Sequence, residues 1–194
     1  MPEAIRLNVG CGRNSIPGWV NLDSADLPGV QVRADLDQCA TVPLPIQNDT
    51  VDEFLLSHVI EHIRSPLPLM QELHRIAKPG AVMRIDTPHG ASDDAWEDPT
   101  HVKAYFPYSF GYFAQPYYHR ADYGYRGDWQ PEQIVLVVDR ATYGAMPPAE
   151  IYERAQKYRN VVKVMVATLR AIKPIREPRG ELIVNPKIDL NLQP

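Results

Sequence analysis

Leu7-Asn8-Val9-Gly10-Cys11-Gly12-Arg13-Asn14-Ser15-Ile16-Pro17-Gly18-Trp19-Val20-Asn21-Leu22-Asp23 sets two short apolar runs around a glycine-bracketed turn. Ile5–Val9 reads as a first strand and Trp19–Leu22 as a second, ending at Asp23. Gly10 and Gly12 sit where the backbone must turn sharply and let a ligand come close. The same rhythm continues outward: Val30–Ala34 ends at Asp35, Val51–Ser57 makes a fourth strand and Ala81–Thr87 a fifth. Between the last two, Ser65 is placed to cap a helix and Pro66 suits its first position. Leu69, Leu73 and Ile76 line one face of that helix, and Lys78-Pro79-Gly80 ends it. Strands alternating with helical segments imply an α/β fold of the Rossmann-like kind, a parallel sheet covered on both faces.

Ligands of such open sheets bind at the carboxyl ends of the strands. Asp23 is placed to accept from both hydroxyls of a ribose. Asp35 is placed to accept from an exocyclic amine, with Leu36 stacked beside the base. A dinucleotide fingerprint fits poorly. Its third glycine is Ser15 here, and Asp23 follows Gly10 by 13 positions where about 20 are expected. Pro17 and Gly18 leave little room for the helix whose N-terminus would receive a pyrophosphate. A cofactor without phosphates removes that requirement, and S-adenosylmethionine has none.

LNVGCGRNSIPGWVNLD, then PLPIQNDTVDEFLLSHVIEHI and ELHRIAKPGAVMRIDTPH, resemble class I S-adenosylmethionine-dependent methyltransferases of the "methyltransferase type 11" kind. Within them the chain is most similar to a short-looped group that lacks the first helix. The resemblance spans roughly residues 5–110. It implies a mostly parallel seven-stranded sheet with a reversed last strand. It also implies cofactor contacts at Gly10, Cys11, Gly12, Asp23, Asp35, Leu36, Ser57 and His58. DPTHVKAYFPYSF, Asp98–Phe110, is similar to a stretch that borders the substrate pocket in that group.

His58-Val59-Ile60-Glu61-His62 is also the HxxEH pattern of inverted zinc peptidases, with both histidines as ligands and Glu61 as base if the segment is helical. The apolar strand before it and Pro66 and Pro68 after it argue against that reading, so no metal is expected. His58 then lines the cofactor site while Glu61 and His62 close a helix end.

Methyl transfer to a hydroxyl needs positioning and a base. His89, Glu97, Asp98 and His101 follow the fifth strand, and His101, with Asp98 three residues before it, is the first choice. Turn-forming or hydrogen-bonded structure is the competing account of that pair. Tyr105, Phe106, Tyr108, Phe110, Tyr112 and Phe113 belong to a segment, 96–129, that holds 12 of the 17 aromatic residues. They suit a pocket wall as well as a core. A small molecule or sugar, methylated at a hydroxyl, is the expected acceptor by analogy.

Residues 1–149 carry 11 Lys and Arg against 19 Asp and Glu, a poor balance for holding phosphates of nucleic acid. No apolar run is long enough for a membrane span, the first strand begins too early for a signal peptide, and the two cysteines, Cys11 and Cys39, have no metal or redox spacing. A reduced cytoplasmic protein is expected. Gln133–Val138 reads as a late strand. Ile151, Ala155, Tyr158, Val162, Met165, Leu169 and Ile172 recur at heptad spacing, which predicts a helix over 150–173 that packs on its own domain or forms a homodimer. Residues 1–145 then form the cofactor domain, with the pocket segment at about 90–130, and residues 146–194 a C-terminal helix and extended arm. A cofactor-binding regulatory module and an assembly protein are the alternatives outside catalysis.

Overall fold

The computed structural model describes residues 4–194. Met1–Glu3, which the expectation about the N-terminus includes, lie outside them. Eight strands form one sheet: β1 (Arg6–Val9), β2 (Val20–Asp23), β3 (Val32–Arg33), β4 (Val51–Ser57), β5 (Ala77–Pro88), β6 (Trp129–Asp139), β7 (Val164–Ala171) and β8 (Lys187–Gln193). Their order is β3-β2-β1-β4-β5-β7-β6-β8. Only β7 is reversed, antiparallel to both β5 and β6, so the fold is α/β and mostly parallel as expected. The sheet has one strand more than the seven implied, because β8 adds to β6 in parallel.

Four α-helices accompany it: α1 (Pro66–Ile76), α2 (Asp94–Glu97), α3 (Arg140–Tyr143) and α4 (Pro148–Lys157). In α1 Pro66 fills the first turn as expected, but Ser65 makes no side-chain cap. Its buried face, Leu69, Met70, Leu73 and Ile76, closes over the sheet. Leu7, Asn8 and Val9 of β1 are all buried, as a central parallel strand covered on both faces requires.

No helix joins β1 to β2. Two buried amides hold that connection instead. Asn21 Oδ1 accepts from Ile16 N at 2.8 Å and from Asn8 Nδ2 at 2.9 Å, and Asn21 Nδ2 donates to the carbonyls of Ile16 and Trp19, each at 3.2 Å. The side chain thus satisfies backbone groups that a helix would have paired internally.

The C-terminal expectation needs correction. The helix over 150–173 ends at Lys157, Asn160 takes a positive φ of 60°, and Val164–Ala171 is a strand inside the sheet. Met165, Ala167, Leu169 and Ala171 point into the core and alternate with half-buried Val164, Val166, Thr168 and Arg170. Residues four apart satisfy a period of two as readily as a helical one, and the β-branched run decides for the strand. Val162, Met165 and Leu169 are therefore buried in their own fold and unable to form the seam of a homodimer. The extended arm is a loop that ends in β8, where Ile188, Leu190 and Leu192 alternate and pack on the core. Asp128, fully buried, ties this last segment down. It accepts from Arg176 Nε and Nη2, both at 2.7 Å. Among the described residues no helix is long and apolar enough to cross a membrane.

Candidate functional site

The chain steps from β1 to β2 and β3 on one side, then returns to β4 on the other, so the strand order reverses between β1 and β4. A ligand crevice is expected outside the carboxyl ends of strands at such a switch point. Gly10, at φ +64°, turns there, and a Cβ on it would lie 2.8 Å from both γ carbons of Val59, which follows β4. Gly12, at φ +52°, has nothing within 4 Å of the corresponding point. The first glycine is required by the protein's own packing; the second leaves open space on the crevice side.

Asp23 closes this turn. Its Oδ2 accepts from Gly12 N at 2.7 Å and its Oδ1 from Ala25 N at 2.9 Å. A carboxylate offers about four acceptor sites, so two remain free. Cys11 is buried and raised in pKa by that burial, which leaves only its backbone to meet a ligand. Exposed Asp35 caps a 3-10 turn, Leu36–Gln38, by accepting from Asp37 N at 3.0 Å, and Gln38 Nε2 donates to its other oxygen. Leu36 is buried beneath. Ser57 and His58 are exposed side by side at the end of β4, and His58 holds a left-handed φ of 54° that a non-glycine residue rarely adopts. The structure thus brings all eight expected cofactor positions to the ends of β1, β2, β3 and β4.

His58 and His62 do not share a helical face, because Ile60–His62 is a single 3-10 turn and α1 starts only at Pro66. The peptidase arrangement is therefore not formed. Glu61 is instead pulled inside, 2% exposed, with Oε2 accepting from Thr87 Oγ1 at 3.1 Å. Its other oxygen lies 3.3 Å from His58 Nδ1, and this carboxylate raises the His58 pKa against the opposing effect of burial.

The segment after β5 folds back over Glu61, whose carbonyl accepts from Val102 N at 2.9 Å and Lys103 N at 3.3 Å. His101 thereby packs edge-on against His62, with ring centres 4.6 Å apart. Asp98 Oδ2 stands 3.8 Å from His101 Nε2, too far for a hydrogen bond. Asp98 is held by Thr100 instead, whose N–H and hydroxyl both donate to Oδ1, and this holds its carboxyl below the usual range. Of the other proposed bases, His89 is buried and accepts from Ala91 N at 3.2 Å, and burial lowers its pKa. Glu97 is exposed at the end of α2.

The aromatic segment divides between both expected fates. Tyr105, Phe110 and Phe113 are core, whereas Phe106, Tyr108 and Tyr112 are exposed. The exposed set, with Lys103 and the start of α1, lines a cavity of about 480 Å³. Its wall adjoins the turn after β4, since Tyr105 Oη donates to Ile60 O. Of the residues that link this pocket to the turn after β4, Glu61 and His62 stand in the sequence only as the rejected peptidase pattern or a helix end, and Thr100 carries no motif signal. The EH pair was visible in sequence, but the fold of residues 98–103 over it was not.

Residues 7–85 match the family model described as a methyltransferase domain, Methyltransf_11. No curated protein matches the chain. Among solved structures, an S-adenosylmethionine-dependent methyltransferase from Archaeoglobus fulgidus aligns with TM-score 0.59 at 16% identity, over 86% of each chain. One from Aquifex aeolicus aligns with TM-score 0.52 at 14% identity, covering 87% of this chain and 82% of that one. The YcgJ protein of a Bacillus aligns with TM-score 0.55 at 11% identity, over 88% and 93%. At these identities the likeness is one of fold.

Proposed function

We propose that this chain, whose residues 7–85 match a methyltransferase domain, takes its methyl group from S-adenosylmethionine and transfers it to a hydroxyl of a small molecule or sugar. The observation that carries this reading is the cavity lined by exposed tyrosines beside the turn that follows β4. Tyrosine faces with a few polar groups suit a ring bearing hydroxyls.

When bound, the cofactor supplies an electrophilic methyl group on a sulfonium. Asp23, with acceptor sites left beyond Gly12 N and Ala25 N, holds the ribose hydroxyls. Asp35 accepts from the adenine amine and Leu36 packs under the base. The backbone at Gly10, Cys11 and Gly12 gives the close approach, and Ser57 and His58 border the methyl end. The residues around the cavity hold the acceptor in line, which supplies most of the acceleration in such a displacement. His101 takes the hydroxyl proton. Asp98 shapes its loop through Thr100.

The test is release of S-adenosylhomocysteine from the donor in the presence of monosaccharide and phenol acceptors. Stimulation by a hydroxylated acceptor is expected, with His101→Ala slowing turnover by about 10²–10⁴-fold while donor binding is kept. Stimulation by amines alone, or no effect of His101→Ala, overturns the reading.

A further inference from the structure

We propose that Glu61, His62 and His101 bind a divalent transition-metal ion of the zinc class at the seam between the β4 end and the aromatic cavity. One ligand-type atom from each residue lies within 4.8 Å of the others. Around a tetrahedral ion with bonds of roughly 2.1 Å such atoms stand about 3.4 Å apart, so small side-chain rotations complete the set. Two imidazoles and one carboxylate form a donor set that zinc and its neighbours favour.

Three independent features point inward at this spot. Glu61 is only 2% exposed, yet its Oε1 makes no well-formed hydrogen bond; its ion-pair contact is with His58 Nδ1 at 3.3 Å. That histidine is half exposed, and the imidazoles of His62 and His101 lie within the same cluster as the carboxylate. Buried charges are normally paired or bound to metal. His101, with 9% of its side chain exposed, likewise has an unpartnered buried Nδ1.

The third feature is the tautomer of His62. The Thr100 hydroxyl owns one proton and gives it to Asp98 Oδ1 at 2.6 Å, because an ionised carboxylate can only accept. Its contact with His62 Nδ1 at 3.0 Å must therefore be an N–H donated by the imidazole. In the neutral imidazole this tautomer leaves Nε2 as the acceptor. A carboxylate–hydroxyl–imidazole relay of this kind fixes the orientation and basicity of a ligating histidine. Asp98, expected to orient His101, instead orients His62 through Thr100.

Three protein ligands leave a coordination position open. The cluster lies between His58 and Lys103–Tyr105 of the cavity wall, so its place beside the acceptor rests on the reading above, although the binding itself does not. An oxygen ligand at that position loses its proton to solvent more readily than in water. Ligation and proton acceptance are alternative uses of His101, so the transfer assay is run on the metal-free protein and the metal titration separately.

The full chain, stripped with a chelator, is titrated calorimetrically with Zn²⁺ and followed with Co²⁺ in the visible. One ion per chain at submicromolar affinity is expected, with d–d bands of low-coordinate Co²⁺. His62→Ala and His101→Ala should each weaken binding by at least tenfold, and Thr100→Val by roughly ten- to a hundredfold. Donor binding by the same variants reports that they are folded and separates this claim from the previous one. Absent one-to-one binding by the wild type, or unchanged affinity in folded His62→Ala and His101→Ala, overturns it.

Discussion

Gly10→Ala should be among the most damaging single-methyl additions in this protein, and its cost divides into two measurable parts. The backbone there is left-handed, at φ +64°, which costs an L-residue about 1–2 kcal/mol. The new Cβ would lie 2.8 Å from Val59 Cγ1 and Cγ2, well inside the ~3.5–4.0 Å at which carbons attract. Overpacking of this kind costs about 1–3 kcal/mol. The sum, about 2–5 kcal/mol, lowers the melting temperature by roughly 4–20 °C for a chain of this size. A double-mutant cycle with Val59→Ala separates the parts. Removing both γ carbons should return the packing share, a coupling of about 1–3 kcal/mol, and leave the backbone share untouched. Gly12→Ala is the internal control: φ is +52° but nothing lies within 4 Å, so it should lose about 1–2 kcal/mol and show no coupling to Val59. A Gly10→Ala cost below about 1 kcal/mol, or a cycle without coupling, refutes the close approach of β1 and β4 that shapes the crevice.

Asn21→Ala should lower stability in urea by about 2–4 kcal/mol, because it strands the buried Asn8 amide and two backbone groups of Ile16. Arg176→Ala should cost about 3–5 kcal/mol by chemical denaturation, since it leaves Asp128 charged and buried without its partner. Burial lowers the pKa of both His74 and His89, so each stays neutral in the fold while the unfolded chain takes up protons. Their stabilising contribution is whole above about pH 6.5 and declines as pH falls through their folded values. Glu61 raises the pKa of half-exposed His58, which opposes that decline in the same window. A melting temperature that falls between pH 7 and 5, and falls less in a His74→Gln variant, is the expected record.

The first half of the sheet was legible because it is written locally. Gly10, Gly12, Asp23 and Asp35 each stand at the end of a short apolar run, and strand ends are where parallel sheets gather their ligands. The missing helix between β1 and β2 followed from Pro17 and Gly18, but not the Asn8–Asn21 pair that replaces it, since two amides at a distance carry no periodic signal. Residues 158–172 misled because spacings of three and four mark a helix, while strand parity also accommodates four. The density of valine was the better guide. In β8 the alternation of Ile188, Leu190 and Leu192 was plain, but a proline-rich approach hid it. Glu61, His62 and His101 meet only because backbone bonds fold Val102 and Lys103 onto Glu61, a contact across some forty positions of chain.

Calorimetric titration of the metal-free protein with S-adenosylmethionine, repeated on Asp23→Ala, tests the central claim most directly. The account predicts one-to-one binding by the wild type and a loss of at least about a hundredfold in the variant, two charge-assisted hydrogen bonds being worth about 1.5–3 kcal/mol each. No binding by the wild type, or an Asp23→Ala protein that binds as tightly, contradicts it.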